Sequence, residues 1–317
     1  MKNQFRLIAG IFAVALMGWV GNGCSVGSSA VDGGVTSGSG STNGGSTTGG
    51  SSTGSGNACT LMDDTTATAT VNAYGCALRT IDATSCESAR TAQGLSGFWL
   101  KFSCNVTLTK SGSGPSATVT LESNGYPDYQ SEYFDSGDAC YESFTASGRH
   151  ANPNLIEDHD YVMTVPYAPT TLSSPVAMPL GVVGMAVNGV VIYSNVAAPG
   201  DDIFDEASTF DSCEGHPDQV GAYHYHVEPP AISNGDDNFI GVMRDGFPIY
   251  GRYDSGSVTP SLDSAGGHTG TTPDSGGSSV YHYHVNLQTD ADDPGVSEYF
   301  ITSGYYNGTA GTCTGCH

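Results

Sequence analysis

Short apolar runs interrupted by turn dipeptides dominate the later part of the chain. Val182–Val196 (VVGMAVNGVVIYSNV) and Phe239–Tyr253 (FIGVMRDGFPIYGRY) each hold two apolar segments around a turn pair, Asn188-Gly189 and Asp245-Gly246. This arrangement predicts two β-hairpins. Earlier in the chain TATATVNAY, FSCNVTLTK and SATVTLES alternate small polar with apolar positions at a period of two, which predicts short strands. Helical periodicity is weak throughout, because 44 glycines and frequent Asn, Asp, Pro and Ser clusters interrupt any 3.6-residue pattern. The expected fold class is mainly β. Two pseudo-repeated hairpin units form one β-rich domain, preceded by a disulfide-stapled β-rich region.

The N-terminus has a different pattern. Lys2 and Arg6 flank the start of an apolar run, Leu7–Val20, which ends in small residues and Cys24. Residues 1–24 therefore read as a cleaved export signal, and GNGC as a lipoprotein-like ending that acylates Cys24. Gly21 stands where such signals usually carry leucine, and ordinary secretion is the alternative. Residues 25–57 are almost entirely Gly, Ser and Thr, a flexible linker with nothing to bury. Together these features place the protein outside the cytoplasm, as a cell-envelope lipoprotein at the outer membrane or cell surface. Its contact with the membrane would be through an N-terminal lipid alone.

Charge narrows the partners. The chain carries 32 acidic and nine basic residues, a net charge of −23, and two of the basic residues leave with the signal. Nucleic acid is excluded as a partner, since phosphate binding rests on clustered Lys and Arg. Apart from Cys24 there are eight cysteines, an even number that favours disulfides in an exported protein. Residues 58–116 hold four of them and form the expected cysteine-rich β region, with pairing that spacing does not fix.

The two hairpins belong to a larger internal repeat, residues about 181–230 and 238–288. In each the order is hairpin, then Asp-Ser-x-x-Gly-His, then Tyr-His-Tyr-His. Asn188 answers to Asp245, Tyr193 to Tyr250, Asp211 to Asp263, His216 to His268, His224 to His282 and His226 to His284. These offsets run from 52 to 58 residues, so the units differ mainly by loop insertions.

With these residues the chain resembles the YHYH domain family, through the Cys-x-Gly-His element, both tetrapeptides and Asp245–Gly251 (DGFPIYG). SNGYPDY (Ser123–Tyr129) is similar to that family's early Asn-Gly-x-Pro element, so the resemblance extends over residues 117–317. Family members often carry histidine where Tyr129 stands and cysteine where Ala265 stands, so neither a ligand nor a bridge carries over to those positions. The resemblance implies a domain rather than a settled activity. It also implies a structural cysteine near the C-terminus, for which Cys213 and Cys140 are the candidate bridge partners.

The chemistry comes from strand geometry. Residues two apart on a strand share one face and lie about 6.5–7 Å apart. His224 and His226 thus share a face, as do His282 and His284, with the tyrosines on the other. Two imidazoles so placed can converge on one metal ion, and His216 and His268 can each add a third nitrogen. The expected metal ligands are His216, His224, His226, His268, His282 and His284, as two three-histidine sets or one cluster shared between the repeats. Asp211 and Asp263 could be ligands or hold a ligand's far nitrogen, and Asp211, Asp245 and Asp263 are the candidate general bases. Copper or zinc suits the set best, with iron next. The acidic stretch Asp201–Asp211 has the wrong spacing for a calcium loop and reads as solvated. CTGCH (Cys313–His317) meets the signature for covalent haem attachment through Cys313, Cys316 and His317, although a disulfide is preferred. The leading function is an exported, membrane-tethered metal-binding protein. A hydrolytic or oxidative metalloenzyme and a metal-free structural or adhesion protein stand as alternatives.

Overall fold

The computed structural model describes residues 74–144, 148–199 and 201–316. The expected signal, the acylated Cys24, the linker and most of TATATVNAY lie outside the described residues. The chain is mainly β. In chain order it runs α1 (Thr84–Ala92), β1 (Thr107–Ser111), β2 (Thr118–Ser123), β3 (Tyr161–Pro166), β4 (Val176–Ala177), β5 (Val182–Ala186) and β6 (Val191–Tyr193). There follow α2 (Ile203–Glu206), β7 (Gly215–Pro217), β8 (Tyr223–Tyr225), β9 (Phe239–Met243), β10 (Pro248–Tyr250), β11 (Gly267–Thr271) and β12 (Ser279–His284). The last strands are β13 (Asn286–Thr289), β14 (Ser297–Phe300), β15 (Tyr305–Tyr306) and β16 (Thr312–Thr314).

The sites are built on one eight-stranded sheet in the order β11-β12-β10-β9-β5-β6-β8-β7. Its central pair, β5 and β9, is antiparallel and buried at every residue, which is why these strands read as unbroken apolar runs. Outward from that pair each half adds the same pairings in the same order. First comes an antiparallel hairpin partner (β6 or β10), then a strand parallel to it (β8 or β12), then an antiparallel edge strand (β7 or β11). Both expected hairpins are present. Gly189 and Gly246 sit at their turns with φ of +94° and +88°, a region that glycine enters without a Cβ penalty.

A second sheet, β1-β2-β3-β16, is antiparallel throughout and takes its fourth strand from far along the chain. One hydrophobic core joins both sheets, with Trp99, Phe102 and Leu121 in the same cluster as Met185, Ile240 and Tyr283. No helix among the described residues is long and apolar enough to cross a membrane.

Three expectations need correction. The described residues before Thr107 hold the nine-residue helix α1 where strands were expected, while FSCNVTLTK and SATVTLES do supply β1 and β2. The helix escapes a hydrophobic-periodicity reading because no apolar stripe anchors it. Cys86 is bridged to Cys104, and the buried Arg90 guanidinium donates to the carbonyl oxygens of Phe102, Ser103 and Val106. Second, Cys213 pairs with Cys76, not with a C-terminal cysteine. Third, Cys313 and Cys316 are joined to each other, a state in which neither thiol is available to haem, and Cys140 is disulfide-bonded elsewhere. His317 lies outside the described residues.

Candidate metal centres

Strand alternation separates the two residue types of each tetrapeptide. The tyrosines enter the core, where their hydroxyls meet aspartate acceptors, Asp211 and Asp245 buried and Asp263 exposed. Tyr223 donates to Asp211 Oδ2 at 2.6 Å, Tyr281 to Asp263 Oδ2 at 3.1 Å and Tyr283 to Asp245 Oδ2 at 2.5 Å. Tyr225 Oη takes a bond from Asn188 Nδ2 at 3.1 Å and lies 2.6 Å from the Tyr129 hydroxyl. Asp211 also accepts the amides of Cys213 and Gly215, and Asp263 those of Ala265 and Gly267. The candidate bases and ligands Asp211, Asp245 and Asp263 therefore act as anchors on the tyrosine side, and none joins the imidazoles. The glycine before each loop histidine is equally local in purpose, since a Cβ at Gly215 or Gly267 would fall on the hydroxyl of Tyr223 or Tyr281.

On the opposite face the histidines form two separate groups. His216 lies directly across from His224 on β7 and β8, and His268 directly across from His282 on β11 and β12. These are the two edges of the sheet, with four strands between β8 and β12, so the cluster shared between the halves does not form. At about 4.8 Å per strand spacing, the groups lie on the order of 24 Å apart.

In the first half, His224 Nδ1 is 2.8 Å from the Ala222 carbonyl and His226 Nδ1 is 2.6 Å from that of Ser194. A carbonyl oxygen only accepts, so each Nδ1 carries the proton and each Nε2 presents a lone pair. These two Nε2 atoms stand 3.0 Å apart. His216 has the same tautomer by a relay. Thr209 gives its one hydroxyl proton to the Glu206 carbonyl and must accept from His216 Nδ1 at 2.8 Å, which leaves His216 Nε2 buried without a hydrogen bond. Glu206 closes this group, with Oε1 3.9 Å from His216 Nε2 and Oε2 4.0 Å from His226 Nε2.

In the second half, His282 Nδ1 is bonded to the Val280 carbonyl at 3.0 Å and His284 Nδ1 to that of Gly251 at 2.7 Å. The Nε2 atoms gather around a single oxygen. Asp254 Oδ1 lies 3.2 Å from His268, 3.5 Å from His282 and 3.4 Å from His284, and the His268 and His284 Nε2 atoms are 3.3 Å apart. Around a tetrahedral ion with bonds of about 2.0–2.1 Å, neighbouring donors are about 3.3–3.4 Å apart. Four of the second group's six donor–donor edges therefore match those of a tetrahedral coordination shell.

Burial disfavours the charged form of His216, His224, His226, His282 and His284. Burial lowers His224 to about 4 and His226 to about 3, the latter helped by His224, and lowers His216 well below the ordinary range. In the second half burial lowers His284 to about 4 and lowers His282 as well. Burial also raises Glu206, to about 7. Each half braces its rings with a tyrosine. Tyr193 stacks on His224 at 3.7 Å and donates to Asp218, and Tyr250 sets its edge against His282 at 5.6 Å and donates to Thr272 and Asp274.

Residues 162–260 match the family described as YHYH protein. This stretch belongs to the YHYH family. The YHYH match includes His216, His224, His226, DGFPIYG and Asp254, and stops short of His268, His282 and His284, so it is narrower than the expected 117–317. No curated protein and no solved structure matches the chain. All six expected histidines fall into the two groups.

Sequence reading missed both carboxylates. Asp254 follows the second hairpin in a loop with no counterpart in the first. Glu206 sits in the acidic stretch read as solvated, yet its Oε2 is buried without a hydrogen bond. The signal that could have found it was IFDEASTF itself, whose apolar residues pack inward. Phe204 and Ile203 lie against a small core of Phe210, Val227 and Phe300 and carry Glu206 to the histidines.

Proposed function

We propose that the protein is an extracytoplasmic metal-binding protein that holds two transition-metal ions, one at each edge of the eight-stranded sheet. One observation carries the reading. In each half, main-chain acceptors fix the proton on Nδ1 of the two tetrapeptide imidazoles, so their Nε2 lone pairs converge on one point, as the ligands of a metal ion do. A neutral hydrogen-bonded network would place an acceptor at one nitrogen and a donor at the other, and two facing lone pairs 3.0 Å apart do the opposite. Three imidazoles with a carboxylate nearby suit zinc, copper or iron.

The same reading takes residues about 181–230 and 238–288 as two copies of one unit, supported by the matched strand pairings outward from β5 and β9. The disulfides and the N-terminal sequence support export, with Cys24 as the lipid anchor. Metal analysis of protein purified without an affinity tag tests the function, with two equivalents per chain expected. Protein that takes up neither zinc, copper nor iron on titration, and melts identically with and without chelator, would overturn it. Cys24→Ser tests the anchor and should release the protein from the membrane fraction.

A further inference from the structure

We infer that the two centres differ in saturation: Asp254 completes the second, whereas His216, His224 and His226 leave one position open to a small exogenous ligand beside Glu206. The inference rests on the two-ion reading above and concerns what each ion can still bind. The difference lies in how each carboxylate addresses its imidazoles. Asp254 brings one oxygen, Oδ1, within 3.2–3.5 Å of all three Nε2 atoms, as a fourth ligand on the same ion must be. Glu206 instead turns Oε1 to His216 and Oε2 to His226, at 3.9 and 4.0 Å. No single oxygen of Glu206 stands at the apex of the three nitrogens, and both contacts exceed the tetrahedral edge of about 3.3–3.4 Å.

The helix that carries Glu206 is pinned at this distance. Asp202 caps it by accepting the Phe204 amide at 2.9 Å, Phe204 packs edge-on against Phe300 at 5.4 Å, and Thr209 bonds the Glu206 carbonyl. An oxygen ligand in the fourth position would fit between the ion and Glu206, within hydrogen-bond reach of the carboxylate. Access is consistent with this. The side chains of His216 and His226 are 3% exposed and that of Glu206 is 27% exposed, so the carboxylate is the member of the group in contact with solvent. Phe210 lies 4.8 Å from the His216 ring and 6.1 Å from that of His226, so the position admits a ligand of a few atoms with an oxygen or nitrogen donor.

Cobalt-loaded protein titrated with azide tests this, because azide enters an open position and alters the visible bands of the ion it binds. Cobalt uptake is measured first. Fewer than two equivalents would overturn the two-ion reading and the inference with it, whatever azide does. With two equivalents bound, azide should perturb the bands of one ion. The change should persist in His282→Ala/His284→Ala, which keeps only the first centre, and vanish in His224→Ala/His226→Ala. Glu206→Gln leaves every histidine in place and should tighten azide about tenfold by removing a negative charge from the ligand's side. A response from both ions or from neither would overturn the inference, as would unchanged azide affinity in Glu206→Gln.

Discussion

The two halves of the eight-stranded sheet place the same three imidazoles with the same strand pairings, yet they surround them differently. In the first half the rings lie under Phe210 and the short helix α2, and the carboxylate arrives from the segment before the loop histidine. In the second half Asp254 arrives from the loop after the hairpin, and His268 and Asp254 remain partly exposed at the sheet edge, 19% and 24%. The matched strand pairings place three imidazoles in each half; the loops decide how a carboxylate meets them. A sheet with matched halves can thus hold the imidazole set constant while its loops change what surrounds it.

The largest test of the comparison removes one half's strand pair at a time. His224→Ala/His226→Ala and His282→Ala/His284→Ala should each lose one of the two metal equivalents and keep the other. Each lost ion should forfeit about 4 kcal/mol of stabilisation when free metal stands a thousandfold above its dissociation constant, read as a lower Tm in matched metal titrations. Loss of both ions from either variant would break the independence of the halves.

The next effect belongs to the first half alone. Cys76–Cys213 ties its loop to the N-terminal segment across 137 residues, whereas the position matching Cys213 in the second half is Ala265, buried without a bridge. Cys76→Ser/Cys213→Ser should destabilise the protein by about 3 kcal/mol in denaturant titrations. It should weaken the first centre more than the second, and equal weakening would show that the bridge acts on the whole fold.

Removing the carboxylates sharpens the contrast. Asp254→Ala deletes a donor at coordination distance and should weaken the second centre about a hundredfold in competition titrations, while Glu206→Ala should weaken the first by less than about tenfold. Tyr193→Phe and Tyr250→Phe each remove a hydroxyl bonded to an aspartate, and each should cost about 1 kcal/mol of stability.

The smallest effect is in proton release. His224, His226 and His284 are held well below the ordinary imidazole range, so near pH 6 they are neutral before metal arrives. Metal binding at pH 6 should then release less than about one proton per ion, measured by calorimetry in buffers of different ionisation enthalpy. The sign for stability follows from the same burial. These groups bind protons more readily when unfolded, so their contribution falls as pH drops from about 6.5 toward 4. Resonances of His224, His226 or His284 that titrate near 6.5 in the metal-free protein would contradict the buried placement.

Much of this arrangement was legible because it depends on short-range periodicity. Alternation within Tyr-His-Tyr-His gives the faces, and Asn188-Gly189 and Asp245-Gly246 give the hairpins, all within a few residues. Whether the histidines meet across the repeat depends instead on strand order. With β5 and β9 in the centre, the histidine strands go to opposite edges, which no local pattern encodes. The place of Asp211 and Asp263 before Gly-His suits a ligand or an acceptor for a ligand's far nitrogen equally, and that same spacing lets each accept turn amides and a tyrosine hydroxyl instead. Glu206 and Asp254 occupy unrelated positions in loops of different length, so the repeat carried no hint of either. Bridge partners depend on which loops meet in space, and α1 is held by a bridge and a guanidinium that leave no apolar period.

The strand β16 has a consequence for how the molecule comes into being. It pairs with β3 through Thr312↔Thr164, Cys313↔Met163 and Thr314↔Val162, and it is made after every other strand of both large sheets. As the chain emerges from the ribosome, β1, β2 and β3 are available early, and β3 then offers an unpaired edge while the whole eight-stranded sheet is still being made. An open edge of this kind recruits strands from neighbouring chains. Val162, Met163 and Thr164 cannot be covered sooner, since their partners arrive only with β16, and a nascent chain stalled before that strand would be the form most prone to aggregate.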